Sequence, residues 1–420
     1  MLIEVICTGD EVLSGKIVNT NYNTICLKLE EVGLAVRWGT IVGDDRETLL
    51  AAFRQAGSRA DAVIVNGGLG PTVDDLSQEI AAKAAGVDLV LSEEWLGRME
   101  ALFRRRSRVM AANNRKQAML PATAEILDNP IGTACGFALD IGKARFLFTP
   151  GVPRELNRML AGEVIPRLLA KSGQPSAIFL KRFHSYGLGE SHVDAILAGV
   201  EALAPDGSVK LGFRAHYPQL ETKLTVKGRD ADDVRQKLAP VQDEVRRRLG
   251  TFILAEDDET LEGNVLAALA RGGGSLAVVE TYTGGLIAAR LLNVPGGEAR
   301  FRRGIVARDL AQIGAALGIG GGVTLEDAGA IARAAREAAN ATHGLAVLVE
   351  PDEGGERVDF GGTINLAVSF GQEAATRHAR IVGGRDWVRL GAVEMALDCL
   401  RRYLLGLPVF ERTDFERRES

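Results

Sequence analysis

The richest chemistry in the chain lies in Gly67-Gly68-Leu69-Gly70-Pro71-Thr72-Val73-Asp74-Asp75, where two carboxylates follow a cluster of glycines. Glycines let a backbone turn sharply and come close to a ligand. Open amides at the start of a following helix attract phosphate. Asp74 and Asp75 would repel that phosphate unless a cation lay between them, so the combination suggests a metal-bridged phosphate ester or pyrophosphate. Hard oxygen ligands favour Mg²⁺, Mn²⁺ or Co²⁺. The same residues also suit an ordinary strand-to-helix turn with capping aspartates, and local sequence leaves both readings open.

The elements around this turn must be those of a parallel α/β sheet. Asp61-Ala62-Val63-Ile64-Val65 is a short β-branched run of the kind that becomes a buried strand. Pro71 suits a first helical turn, and Thr72, Asp74 and Asp75 are natural caps before Leu76 to Ile80. Leu2 to Cys7 reads as another strand, followed by the polar loop Thr8-Gly9-Asp10-Glu11. Tyr22 to Val32 is amphipathic, and Val36 to Val42 supplies a third strand ending in Gly43-Asp44-Asp45-Arg46. Parallel sheets collect ligands at the carboxyl ends of their strands, so the three loops are expected to converge on one crevice.

The order of these motifs resembles the MoaB/Mog-type domain that opens proteins of the CinA (competence/damage-inducible protein A) family. The resemblance runs on through Asn114-Arg115-Lys116-Gln117-Ala118, Asn129-Pro130-Ile131-Gly132-Thr133-Ala134 and Pro150-Gly151-Val152-Pro153-Arg154-Glu155. Cys135 departs from it, standing where the family usually has proline. The resemblance implies a three-layer α/β domain over 1–170 and metal-dependent hydrolysis of the pyrophosphate of ADP-ribose or a related nucleotide. Related domains bind a phosphorylated pterin through acids that match Asp44 and Asp75. On this reading Asp44, Asp75 and Glu11 are catalytic, and Asp44, Asp74 and Asp75 hold the divalent metal. Thr8, Gly9, Gly67, Gly68, Gly70, Pro71, Thr72, Asn114 and Lys116 bind the ligand. A non-catalytic binder of a pterin or nucleotide is the alternative.

Composition sets the frame. A chain of 420 residues has room for two to four domains, and 46% hydrophobic with 25% charged residues is ordinary for a globular protein. The net charge of −5 lacks the positive balance of a nucleic-acid scaffold. Cys7, Cys26, Cys135 and Cys399 are far apart and form no zinc or disulfide pattern, as expected of reduced cysteines in the cytoplasm. Early charges at Glu4, Asp10 and Glu11 break any secretory leader, and no run of about 18 apolar residues could span a membrane. Family resemblance implies a homodimer.

Lys171-Ser172-Gly173-Gln174-Pro175 reads as a linker. Strand and helix patterns then alternate over 171–255 in a small α+β unit, which resembles the family's middle domain of KH-like topology. Without a GXXG loop it is not expected to bind nucleic acid. A third segment, 256–420, places Ser275 to Glu280 as a strand before Thr281-Tyr282-Thr283-Gly284-Gly285-Leu286. It resembles the α/β C-terminal domain of the family, the nicotinamide mononucleotide deamidase module. Active members carry serine and cysteine where this chain has Thr281 and Tyr282. Their tyrosine and a later lysine become Arg308 and Ile313, and their glycine-rich loop becomes Val349 to Gly355. A hydroxyl nucleophile needs a proton acceptor, which neither Arg308 nor Ile313 supplies, so the deamidase site is expected to be degenerate and silent. Deamidation therefore ranks behind the hydrolase and the binder.

Overall fold

The computed structural model describes all residues except 174–176, 205–206, 321, 353–359 and 417–420. The linker residues Gln174 and Pro175, and the Glu353-Gly354-Gly355 end of the loop after Val349, lie outside the described residues. The chain divides into two compact units, 1–179 and 180–420, so the second and third segments share one unit.

Unit 1 is built on strands β1 (Ile3–Thr8), β2 (Val36–Val42) and β3 (Ala62–Asn66), the small pair β4 (Leu89–Leu91) and β5 (Met119–Pro121), and β6 (Glu125–Leu127), β7 (Gly136–Ile141) and β8 (Ala144–Thr149). The main sheet runs β2-β1-β3-β8-β7-β6, parallel from β2 to β8 and antiparallel beyond. β3 shows why this is a three-layer domain. Successive side chains of a strand point to opposite faces, and here Val63 and Val65 join one core cluster while Ala62 and Ile64 join the other. The first cluster is closed by Phe53 and Ile80, from helices Arg46–Arg59 and Ser77–Ala85. The second is closed by Ile25, Leu29, Leu156 and Met159, from helices Thr20–Glu31 and Pro153–Met159. Phe53, Phe137, Phe146 and Phe148 are fully buried and their rings meet, each contributing about 1.5–3 kcal/mol.

Unit 2 holds two sheets. β9 (Ala177–Tyr186), β10 (Val209–His216), β11 (Gln219–Gly228) and β12 (Ile253–Glu256) form one in the order β10-β11-β9-β12. Helix Ala231–Leu249 covers β11, burying Val234, Leu238, Val241 and Val245 at helical spacing. The other sheet contains β13 (Leu276–Thr281), β14 (Phe301–Ala307), β15 (His343–Pro351), β16 (Gly361–Phe370) and β17 (Glu373–Val382), in the order β14-β13-β15-β16-β17. Helix Ala328–Ala338 packs on one face, and helices Leu261–Arg271 and Arg385–Leu404 on the other. The hairpin tip between β10 and β11 is tied to this second sheet's layer. Tyr217 stacks on Trp387 with ring centroids 3.7 Å apart, and Gln219 Nε2 donates to Glu394 Oε1 at 2.6 Å.

Among the described residues no helix is long and apolar enough to cross a membrane. All four cysteines are free. Cys135 is fully buried in the Phe53 cluster, where burial pushes its thiol far up.

Candidate functional site

The carboxyl ends of β1, β2 and β3 meet at a crevice of about 630 Å³, and its floor follows from what each strand does as it ends. β3 ends in Asn66, whose Nδ2 donates to the Pro150 carbonyl at 2.7 Å. Asn21 Nδ2 donates to Asn66 Oδ1 at 2.9 Å and to the Gly151 carbonyl at 2.7 Å, so three loops are joined by side-chain amides. Gly67 and Gly68 then take φ of +110° and +67°. A Cβ on Gly67 would lie 2.6 Å from Thr8 Oγ1, and one on Gly68 would lie 2.4 Å from Ser77 Oγ, so side chains are excluded at both. Ser77 Oγ donates to the Gly67 carbonyl at 2.9 Å and locks the turn onto the helix it precedes.

The acids are arranged differently from expectation. Helix Ser77–Ala85 begins after Leu76, so Pro71 to Asp75 form a separate turn and neither aspartate caps the helix. Asp75 folds back on that turn, accepting from the Thr72 amide at 2.8 Å and from the Thr72 hydroxyl. The Thr72 hydroxyl also holds the Asp74 carboxyl below its ordinary range, with help from Asp74's own amide. Across the crevice, Asp44 Oδ2 accepts from the Asp10 amide at 3.1 Å while Asp10 Oδ1 accepts from the Asp44 amide at 3.1 Å. Burial raises the Asp44 pKa; the Asp10 amide opposes this, and the charges of Asp10, Glu11 and Asp74 add to it. Asp45, its neighbour, is a helix cap for Glu47 and Thr48.

Of the residues read from sequence, Thr8, Gly9, Glu11, Asp44, Gly67, Gly68, Gly70, Pro71, Asp74 and Asp75 line the crevice. Thr72, Asn114 and Lys116 do not. Lys116 instead donates its ammonium to the Thr72 carbonyl, and Asn114 bonds Gln117, whose Nε2 supports the Leu69 carbonyl at 3.1 Å. These three hold the turn's shape from behind. Among the described residues no three carboxylates, histidines or cysteines stand grouped so as to hold a metal ion. Asp44, Asp74 and Asp75 face the same space, with Asp75 already engaged by Thr72.

Sequence reasoning missed Asn19, Asn21, Asn66, Gln117, Thr133 and Glu155 as lining residues. The signal for Asn66 was available, as a polar residue closing an apolar strand beside glycine. Thr8 carries a further clue: among the described residues its buried hydroxyl has no hydrogen-bond partner. Buried polar atoms are almost always satisfied, so this hydroxyl is ready for a ligand's polar group.

In unit 2 the turn after β13 repeats the strand-to-helix theme. Tyr282, Gly284 and Gly285 all have positive φ, at 65°, 70° and 83°. Glu280, fully buried, accepts from the Thr283 hydroxyl at 2.6 Å and from the amides of Ile287 and Ala288 at 3.2 Å, which fixes the next helix to the strand. Thr281 accepts from the Val349 amide at 2.7 Å and donates to the Val349 carbonyl at 3.3 Å. No side-chain partner accompanies it among the described residues. Ile313 is sealed in the apolar cluster under helix Ala328–Ala338, and Arg308 is exposed just before the cap Asp309. Tyr282 reaches over the carbonyl of Arg385 at 3.5 Å.

Comparison with known proteins matches three family models in order: "Probable molybdopterin binding domain" over 4–170, "Damage-inducible protein CinA KH domain" over 181–255, and "CinA C-terminal domain" over 258–404. A CinA-like protein of Shewanella woodyi is 38% identical, over 97% of this chain and 96% of the relative. The nicotinamide-nucleotide amidohydrolase PncC of Shewanella oneidensis is 36% identical over the same shares. A crystal structure of CinA from Thermoplasma acidophilum is 34% identical over 39% of this chain and 96% of its own, with a TM-score of 0.36. These findings overturn the expectation of an ADP-ribose hydrolase with a silent C-terminal half. A relative with a named activity, aligned over nearly its whole length, is an amidohydrolase, and none of these relatives and family models is named for diphosphate cleavage. With a MoaB-like first domain, a KH-like middle and the C-terminal domain all in place, the chain belongs to the CinA family.

Proposed function

We propose that the chain is an enzyme of the amidohydrolase class acting on a nicotinamide nucleotide, with the reaction assigned to unit 2 at the turn after β13. The end-to-end similarity to a relative named for that activity carries the reading. Hydrolysis adds water across the carboxamide, breaks the C–N bond and releases ammonia. The nucleophile would be the Thr281 hydroxyl, which stands at the end of β13 and must first leave the Val349 amide. A backbone carbonyl is a poor proton acceptor, so this arrangement predicts slow turnover. The test is ammonia and nicotinate mononucleotide release from nicotinamide mononucleotide by the full chain and by Thr281→Ala. Release by the wild type that disappears in the variant supports the reading; equal release by both, or none from the wild type, overturns it.

A second reading concerns unit 1, where the crevice is a binding site for a phosphorylated, donor-rich heterocycle without turnover. The observation that favours it is the buried, unpartnered Thr8 hydroxyl beside the glycine turn. A match to a molybdopterin-binding domain model over 4–170 agrees with that class of ligand. Saturable binding that Thr8→Val weakens supports it, and binding indifferent to Thr8 removes it.

A further inference from the structure

Three residues on one face of helix Arg385–Leu404 receive the tip of the β10–β11 hairpin. Trp387, Gly391 and Glu394 are spaced four and three apart, so they line up along the helix as a single stripe. The Tyr217 ring lies on Trp387, and its hydroxyl donates to the Trp387 carbonyl at 2.9 Å. Gly391 is what lets that hydroxyl in: a Cβ there would stand 2.5 Å from the Tyr217 oxygen. Gln219, two residues on, donates to Glu394 Oε1 at 2.6 Å. The hairpin belongs to the segment 181–255 and the helix to 258–404, so a fitted contact joins the two.

Both ends of the stripe continue to the turn that carries Thr281. At the start of the helix, the Arg385 carbonyl accepts from the Tyr282 hydroxyl at 3.5 Å. At Glu394, Oε2 accepts from Arg290 Nη1 at 2.7 Å, and Arg290 lies in helix Leu286–Leu292, which opens directly from the same turn. Tyr282 holds a φ of +65° with a full side chain, a conformation that persists where the surroundings impose it.

We infer that Tyr217 and Gln219 are positioning residues for the amidohydrolase reaction, holding the Thr281 turn in place from the neighbouring segment; the inference rests on the first reading above. Tyr217 fixes the helix start on which Tyr282 leans. Gln219 orients the carboxylate that grips Arg290, and so anchors the helix leaving the turn. Glu280 secures the other end of that helix through the amides of Ile287 and Ala288. An attacking group misplaced by about 1 Å can lose on the order of 100-fold in rate, so ordering a strained turn is a contribution that a hairpin outside the site can make.

The test measures order and turnover separately on the full chain. Hydrogen exchange read by mass spectrometry should quicken over 281–292 in Tyr217→Ala and in Gln219→Leu, while strand His343–Pro351 keeps its wild-type protection. Tyr217→Phe keeps the ring stack and should restore most of that protection. With nicotinamide mononucleotide as the probe, kcat for ammonia release should fall about tenfold in Tyr217→Ala with KM within about twofold, the split expected when the attacking group is misplaced and binding is intact. Unchanged exchange over 281–292 overturns the positioning role, because the turn then orders itself. An equal rise in the strand overturns it as well, since the loss is then one of general stability. Faster exchange with an unaltered kcat is equally fatal. If the exchange result holds but the wild type releases no ammonia, the amidohydrolase reading is what has failed, and the positioning role falls with it.

Discussion

Arg290→Met is the sharpest test of how unit 2 is held together. Glu394 lies on helix Arg385–Leu404 with 1% of its surface exposed, and its Oε2 meets Arg290 Nη1 at 2.7 Å. Arg290 also pairs with Glu262, and Gln219 from the β10–β11 hairpin donates to the other Glu394 oxygen. Burial raises the Glu394 pKa, while the Arg290 charge and the hydrogen bonds from Arg290 and Gln219 pull it down. Methionine keeps much of the volume and removes the cation, stranding a buried carboxylate at a cost of about 3–5 kcal/mol. For a domain of this size that lowers the melting temperature of unit 2 by roughly 6–20 °C. The sign with pH follows from the raised pKa. A group that holds its proton more tightly when folded contributes stability below its unfolded pKa and loses it as pH rises through the folded value. Losing Arg290 raises the Glu394 pKa further, so the variant should be closest to wild type near pH 5 and furthest from it near pH 8. Differential scanning calorimetry at the two pH values measures this. A loss below about 1 kcal/mol, or one equal at both pH values, would refute the account, since an exposed ion pair gives that result.

Other outcomes follow from single contacts. Gly67→Ala must place a Cβ at φ +110° and 2.6 Å from Thr8 Oγ1, costing about 1–3 kcal/mol in backbone strain alone, so unit 1 should melt earlier and lose ligand binding together; an unchanged melt would show that the turn is not fixed. Arg246, with support from Lys181, brings the Glu256 pKa down to about 2, so its stabilising contribution is complete above the unfolded value of 4.5 and fades as pH falls from there through 2. Carboxyl NMR titration of Glu256 should find it ionised at pH 4, and Glu256→Gln should flatten that part of the acid-stability curve. Thr281→Ser removes a methyl from a buried hydroxyl and frees its rotation, so amide hydrolysis should speed up relative to the wild type; a slower variant would mean the hydroxyl is not the attacking group.

Much of unit 1 was readable because its signals are local. Val36 to Val42 is a strand with the limits expected. The glycine turn could be placed because β-branched residues stop at Asn66 and positive φ begins one residue later. The acids were placed correctly in the crevice but wrongly at a helix start, because the Thr72–Asp75 turn competes for the same capping oxygens. Lys116 looked like a phosphate ligand by charge, yet its ammonium is spent on a carbonyl 44 residues away in sequence. Nothing local announces such a partner. The same holds for Asn21 and Gly151, 130 residues apart, and for Glu155, whose position depends on Asn129. Ile313 was the reverse case: an apolar residue at an expected lysine position goes where its hydrophobicity sends it, into the core.

The paired amides of Asn21 and Asn66 divide the crevice into parts with different evolutionary freedom. The floor is tied to three loops at once, so a substitution there disturbs strand ends that carry the whole sheet. The rim has no such ties: Ile17 and Val18 are exposed, lining residues with no side-chain bonds to lose. Drift in ligand preference among relatives should therefore accumulate at the rim, and a directed library built there should alter selectivity while leaving folding yield intact.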